Sequence, residues 1–375
     1  MIESWTALSP HESEWQKLLT RSALNEPVMT PFWLNAWWRV FGAEGGRKLR
    51  MLLVFEDRRL IGVVPLLTRR HWYLPGLPFR RIELLGSGEE EADEICSEYL
   101  GVIAERGREP VVIAELTRAL ATGALGEWDE AVFAAMHAES PLTGLLVEGL
   151  ERAHFDTRST TTAECPFIAL PESWDEYLRR LSSSSRSFVK RTLAAFQDWA
   201  GGEDAYFEVR SPLELARGTA VLRALHGERW SEASTGGVFG SPRFRAFHWE
   251  IMLPLLASGA LELSWLAVRG EPIAALYNFS WNGKVYFYQS GRKLDVPSRV
   301  RPGIVAHLHA IRRAIERGRR EYDFLGGASR YKLALATDRR SLVTVRAVHP
   351  SLLELARERA EHSLALVRSL RPATR

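Results

Sequence analysis

Cysteine is nearly missing from this 375-residue chain: Cys96 and Cys165 are the only two, and they form no CxxC pair. That excludes a disulfide framework and a thiolate zinc site, and leaves both as small, buried or partly buried side chains. The ten histidines are scattered, and His307 and His309 are too close to face one way on a helix, so no metal set is expected. Lysine is scarce too. Of 49 basic residues only Lys17, Lys48, Lys190, Lys284, Lys293 and Lys332 are lysines, which gives a lysine at a candidate site more weight than usual. A formal net charge of +3 makes no case for a nucleic-acid surface. No apolar run approaches the ~20 residues that span a bilayer. The N-terminal MIESWTALSPHESEWQK lacks a basic segment leading into an apolar core, so a cytoplasmic location is expected.

What is present is ample apolar material, 46% of the chain. It should form two cores, since single cores rarely grow past about 250–300 residues. The first domain is expected over 1–158, the second over 159–350, and a C-terminal helix and tail over 351–375. In the first, Phe32, Ala36, Trp37 and Val40 keep helical spacing after Pro31 and predict a helix over Pro31–Phe41. Leu49–Phe55 and Leu60–Leu67 read as a hairpin, then come a strand at Ile82–Leu85 and a solvated acidic loop, Gly86–Asp93. Helix Pro110–Leu120, strand Glu130–Ala135 and helix Pro141–Leu150 complete that half.

The second half opens with helices Trp174–Leu181 and Phe188–Trp199, interrupted by the serines at 182–185. Helices Leu213–Arg229 and Pro242–Leu256 follow, then strands Leu261–Val268, Ile273–Ser280 and Val285–Ser290. Helix Gly303–Arg317, strands Glu321–Leu325 and Leu342–Val348, and helix Ser351–Leu370 close the chain. LLVFEDRRLIGVVPLL is echoed by WLAVRGEPIAALYNF, each a strand, a polar turn and an apolar strand. Duplication would produce that echo, and so would chance in any protein with two hairpins.

Between Val285 and Leu325 the order is strand, Pro-Gly-opened helix, parallel strand, a layout that holds a pyrophosphate. Pro302 suits the first helical position, where a missing N–H costs nothing. Gly303 lets a ligand approach the first-turn amides, which continue through Ile304 and Val305; with the helix dipole they favour a phosphate by ~0.3–2 kcal/mol per charge. Arg299 and Arg301 stand just upstream for ionic contacts. Ile304, Leu308, Ile311 and Ile315 form the packing stripe, leaving Arg312, Arg313, Glu316 and Arg317 towards solvent. Tyr288 and Gln289 lie on the strand edge where the amides of a pantetheine arm would add as a strand does. An ordinary helix start and an ordinary interior strand carry the same marks.

Asp323 sits in an apolar strand between Tyr322 and Phe324, where a carboxylate needs a partner. Gly326-Gly327 makes a tight turn, and Tyr331 and Lys332 follow at once. An ammonium here would stabilise the oxyanion of a tetrahedral intermediate, and Tyr331 would return a proton to a leaving thiolate. On the plainer reading Asp323 is a cap or ion-pair partner, Tyr331 is core and Lys332 is exposed. His226 and Arg229, three apart on one helix face, together with Trp230 are candidates for an acceptor pocket, although basic residues also favour helix ends. Arg186, Lys190 and Arg191 read as a solvated face. The general base is left open between Asp323 and His226.

In order and spacing, IAALYNF, VYFYQSG, the PG-opened helix, AIERG, EYDFLGG and YK resemble the CelD/FemAB-like branch of the GNAT (Gcn5-related N-acetyltransferase) superfamily. The segment WDEYLRRLS from Trp174 to Ser182, the His226–Trp230 cluster, Thr30-Pro31-Phe32, Trp37-Trp38 and VVPLL are similar to it as well. The resemblance implies an α+β fold of two tandem GNAT-like subdomains, each a mixed, mostly antiparallel sheet flanked by helices. It also implies transfer of an acyl group, acetyl foremost, from acyl-CoA as co-substrate to an amine or hydroxyl of a small-molecule or saccharide/cell-envelope acceptor. In relatives that use aminoacyl-tRNA, a lysine at the place of Lys332 lies by the reacting carbonyl. The usual pyrophosphate loop, Arg/Gln-x-x-Gly-x-Gly/Ala, is met only loosely by Arg301–Ala306. Two alternatives stay open: aminoacyl-tRNA-dependent transfer, against which the near-neutral charge speaks, and a non-catalytic accessory role in polysaccharide biosynthesis.

Overall fold

A computed structural model describes residues 1–230 and 237–369, without the side chains of 229, 230 and 364–369. The chain forms two compact units, neither contiguous in sequence. Met1–Gly88, Tyr99–Thr162 and the chain from Val343 make the first; Glu89–Glu98 and Ala163–Leu342 make the second. The passage into the second unit thus lies at Thr162/Ala163, against an expected division after Arg158. The C-terminal helix groups with the first unit instead of standing apart. Unforeseen in the sequence, a short piece of the first half belongs to the second unit.

The first unit contains α1 (Trp5–Leu8), α2 (Glu12–Arg21), α3 (Pro31–Phe41), β1 (Lys48–Glu56), β2 (Arg59–Leu74), β3 (Leu77–Leu84), β4 (Ile103–Ala104), α4 (Glu109–Ala121), β5 (Glu130–His137) and α5 (Pro141–Arg152). Its sheet runs β1-β2-β3-β5, with β4 on β2. All these pairs are antiparallel except β3 and β5. Thr30 starts α3 because its hydroxyl accepts the Trp33 N–H, and Pro31 fits the first turn. Asp57 and Arg58 both take positive φ, the turn whose twist suits a two-residue hairpin. β2 outruns the expected Leu67 because Thr68–His71, though polar, is paired residue for residue with β3; the ladder overrides composition. Trp15, Trp33, Trp37, Phe41, Phe79 and Phe133 are fully buried, each worth about 1.5–3 kcal/mol of apolar burial.

The second unit holds β6 (Asp156–Ala169) from Ala163 on, α6 (Trp174–Arg180), α7 (Ser183–Ala200), β7 (Asp204–Glu208), α8 (Pro212–Trp230), α9 (Pro242–Ala257), β8 (Leu261–Val268), β9 (Glu271–Trp281), β10 (Lys284–Arg292), α10 (Pro302–Glu316), β11 (Glu321–Asp323), α11 (Arg330–Leu335) and β12 (Asp338–Val348) up to Leu342; α12 (Leu352–Ser369) follows in the first unit. Here the order is β6-β11-β10-β9-β8-β7, and only β10 and β11 run parallel. The architecture repeats: an antiparallel meander, then strand, helix and parallel strand, as β1–β2–β3–α4–β5 and as β8–β9–β10–α10–β11. This is the expected α+β fold of two tandem units, each a mixed, mostly antiparallel sheet flanked by helices.

Two helical expectations change. The serine run does not interrupt: Ser182 caps α7, its hydroxyl accepting the Ser185 N–H, and the remaining serines form the first turn. Tyr331 and Lys332 lie on a short helix, α11, not on an extended segment. On α10 the apolar stripe packs as expected, with Leu308, Ile311 and Ile315 buried. Arg313 and Arg317, expected in solvent, pair instead with Glu208 at 3.0 and 2.7 Å.

Candidate active site

β10 and β11 are joined over only three residue pairs, Lys284–Glu321, Val285–Tyr322 and Tyr286–Asp323. β11 then stops, and the chain turns away through Leu325 (φ +56°) and Gly327 (φ +93°). β10 continues to Arg292, with one extra residue, Tyr288, bulged against β9. The two strands therefore part, β10 running on past Tyr286 without β11 beside it. A cavity of about 510 Å³ lies where they part, lined by Ser290–Arg292, the loop that follows, the first turn of α10, His307 and Tyr331. That volume is in the range of small-molecule sites.

The start of α10 suits an anion. Arg301 precedes it in a left-handed conformation, no side chain caps the first turn, and no acidic residue stands there. The Ile304 and Val305 N–H groups already donate to the Arg301 carbonyl, at 2.9 and 3.2 Å, so it is the positive end of the helix dipole at Gly303 that attracts negative charge. Arg292 and Arg301 both line the cavity, and the Arg301 guanidinium lies 4.8 Å over the Phe188 ring. Gly303 keeps the approach open: the nearest atom to a Cβ built there is Arg292 Cδ at 3.5 Å.

The structure sorts the expected donor residues. Arg301, Gly303 and Ile304 line the cavity; Arg299 is exposed and lies outside its wall. Val305 buries its side chain in the core. Gln289 is half-buried and outside the wall. The Tyr288 side chain is committed to the interior, its hydroxyl donating to the Ile95 carbonyl at 2.6 Å and 3.0 Å from His248 Nε2. The bulge interrupts the two-residue alternation of a regular strand, and Ser290 joins the cavity wall.

His226 is buried, with Nδ1 3.0 Å from the Ser290 carbonyl. α8 lies so close to β10 that a Cβ on Gly291 would come 2.4 Å from the His226 amide nitrogen. His226 thus pins a helix to the strand instead of opening a pocket. The side chains of Arg229 and Trp230 lie outside the described residues.

Lys332 is buried, not exposed, and Nζ donates to the carbonyls of Phe324 and Gly326, both at 2.7 Å. The ammonium also sits 5.5 Å over the Phe287 ring. Asp323 is fully buried; Oδ1 accepts the Leu325 N–H at 2.7 Å, and Oδ2 lies 4.0 Å from Arg340 Nη1. It holds the left-handed Leu325, a conformation that costs a β-carbon residue about 1–2 kcal/mol. Tyr331 is half-buried with its ring 5.5 Å from His307, and His307 Nδ1 is 3.0 Å from the Tyr322 hydroxyl.

Sequence reading missed Glu98. Both its carboxylate oxygens lie 2.9 Å from the Gly326 N–H. Burial, the largest influence, pushes its carboxyl up to about 8; the Gly326 N–H opposes this, Asp323 adds to it, and Lys332 opposes it. Nothing local marked it, because it ends an acid-rich stretch that reads as solvated loop. Lys332 and Glu98 thus hold the two ends of one residue, Gly326, by its carbonyl and its amide.

The family model described as an acetyltransferase (GNAT) domain matches residues 183–333. Over those residues the chain carries a GNAT-type domain. The fold is shared with FemX, whose crystal structure is similar with a TM-score of 0.61, 12% identity, and coverage of 90% of this chain and 96% of that one. A structure from Agrobacterium fabrum, described as the C-terminal domain of a lysylphosphatidylglycerol synthetase, aligns with a TM-score of 0.52 at 9% identity, over 96% of this chain and 95% of that one. A conserved protein of unknown function from Bacteroides thetaiotaomicron reaches 0.50 at 11% identity, over 90% and 97%. Curated protein sequences gave no match. Within the GNAT domain lie the parted strands, α10 and Lys332; Glu98 falls outside the matched residues. Among the described residues no helix is long and apolar enough to cross a membrane, and no group of three acidic, histidine or cysteine side chains is placed to hold a metal.

Proposed function

We propose that the second unit transfers an acyl group, acetyl foremost, from acyl-CoA to an amine or hydroxyl of a small-molecule or saccharide/cell-envelope acceptor. The observation that carries this reading is the parting of β10 from β11 beside an uncapped helix start. β10 past Tyr286, where β11 no longer pairs with it, offers main-chain partners to the pantetheine amides. The positive end of α10, at Gly303, with Arg301 and Arg292 beside it, receives the pyrophosphate. The Lys332 ammonium stabilises the thioester oxygen as negative charge develops there. Tyr331 returns a proton to the departing thiolate.

An aminoacyl-tRNA donor is the second reading, favoured by the fold shared with FemX and with the lysylphosphatidylglycerol synthetase domain. Thermal unfolding in the presence of CoA, acetyl-CoA, longer acyl-CoAs and charged or uncharged tRNA separates the two. Ligand at a hundred times its Kd stabilises the folded state by about 2.7 kcal/mol. A clear rise with CoA species is expected; no response at millimolar CoA, with a response to charged tRNA, would replace the first reading by the second.

A further inference from the structure

The segment Glu89–Glu98 is tied to the second unit at three points. Asp93 accepts from the Ser241 hydroxyl at 2.6 Å and from Arg243 at 3.0 Å. The Ile95 carbonyl accepts from Tyr288 at 2.6 Å, and the Glu98 carboxylate accepts from the Gly326 N–H. Anchored in this way, the segment delivers one carboxylate to the glycine turn whose other side Lys332 holds.

Glu98 differs from three buried carboxylates of the chain, Glu83, Glu130 and Glu354. Glu83 is bonded by Arg69 at 2.6 and 3.1 Å, Glu130 by Arg81 and Arg346 at 2.6 and 2.7 Å, and Glu354 by Arg346 and Arg357. Among the described residues no arginine or lysine nitrogen comes within 4.0 Å of Glu98. In a chain so rich in arginine, an inward carboxylate met only by one amide works against stability. Its placement beside a candidate oxyanion donor supplies the reason to keep it.

We propose that Glu98 is the general base of acyl transfer, its carboxylate taking the proton of the acceptor on the side of Gly326 opposite Lys332. This rests on the acyltransferase reading above. The lone pair of a neutral amine, or of a hydroxyl, attacks the thioester carbonyl carbon, and the π pair moves to oxygen. A C–N or C–O bond forms while Glu98 accepts the N–H or O–H proton. When the intermediate collapses, the C–S bond breaks and its electron pair leaves on sulfur, which takes a proton from Tyr331. Solvent carries the Glu98 proton back to the tyrosinate, so each turnover converts thioester and acceptor into amide or ester and free thiol.

The surroundings fit that task. Asp323 and Glu94 raise the affinity of Glu98 for a proton, the Gly326 amide and Lys332 lower it, and the thiol of Cys96 and the hydroxyl of Tyr288 also feel its charge. A carboxyl at about 8 is strong enough to deprotonate an acceptor near neutral pH and is still ionised in part there.

The test uses the full chain, with thiol release from acetyl-CoA measured in water and with glycinamide as acceptor, from pH 6 to 10. Expected in the wild type is a kcat/KM that rises through one ionisation near pH 8. In Glu98→Gln that ionisation vanishes and kcat falls by ~10²–10⁴, with CoA affinity unchanged; Glu98→Asp keeps part of the rate with a displaced profile. Three results overturn the assignment: a Gln variant within threefold of wild type, a slow Gln variant whose profile keeps its shape, or a wild type that binds CoA but releases no thiol with either acceptor. A wild type that CoA fails to stabilise refutes the donor reading itself, and this proposal with it.

Discussion

Replacing Glu98 by Gln should make the protein more stable, by an amount that depends on pH. The carboxyl stands at about 8 in the folded protein against an ordinary 4.5. Between these values the folded state keeps a proton that the unfolded chain has lost, so native stability falls as pH rises through the window. Glutamine does not titrate, and its side-chain oxygen can still accept the Gly326 N–H. Each unit of difference is worth ~1.4 kcal/mol, which sets a ceiling of about 5 kcal/mol. Residual solvent contact of the half-buried residue lowers this, and the gap between variant and wild type should widen by about 2–3 kcal/mol from pH 5.5 to 8.5. Urea unfolding at pH 5.5, 7.0 and 8.5 reads it as a growing separation of midpoints at constant m. A separation that does not change with pH, or a variant less stable than wild type at pH 8.5, would refute the reasoning. A stabilised but slow variant is the usual pattern when a functional group is held at a cost.

Lys332→Ala should lower kcat by ~10²–10³ as an oxyanion donor is lost. It should also cost about 2–4 kcal/mol, because the carbonyls of Phe324 and Gly326 lose a charged donor; steady-state kinetics and urea unfolding check the two effects separately. Gly303→Glu has room for its Cβ but sets a carboxylate against the start of α10, so the fold should persist while the Kd for CoA rises at least about tenfold, measured by calorimetric titration. Gly291→Ala forces a methyl group onto the main chain at Leu225 and His226, 2.5 and 2.4 Å away. Backbone cannot yield as a side chain does, and a loss of about 3 kcal/mol is expected in urea unfolding.

Much of the second unit was legible because its signals are local. The meander strands and the Pro302-Gly303 helix start each carry their own residue preferences, and the structure follows them. The bulge at Tyr288 was not legible: a run of alternating aromatics looks the same with or without one extra residue, and only pairing with β9 reveals it. Lys332 drew attention through its rarity, yet its burial depended on two carbonyls that the turn at Leu325–Gly327 brings round. Glu98 was hidden for a stronger reason. Its partners lie more than two hundred residues away in sequence, and an acidic stretch in water and one docked on a protein have the same composition.

The docking of residues 89–98 into the second unit constrains how this protein can be cut or varied. A fragment beginning at Ala163 retains the parted strands and α10 but lacks the Glu98 carboxylate, so on the reading proposed above it should bind the donor without turning it over. Insertions or deletions between Gly88 and Tyr99, which a linear domain map would assign to the first unit, should register as defects in the second. Shuffling the halves between homologues is permissible only if this decapeptide travels with the half that it serves.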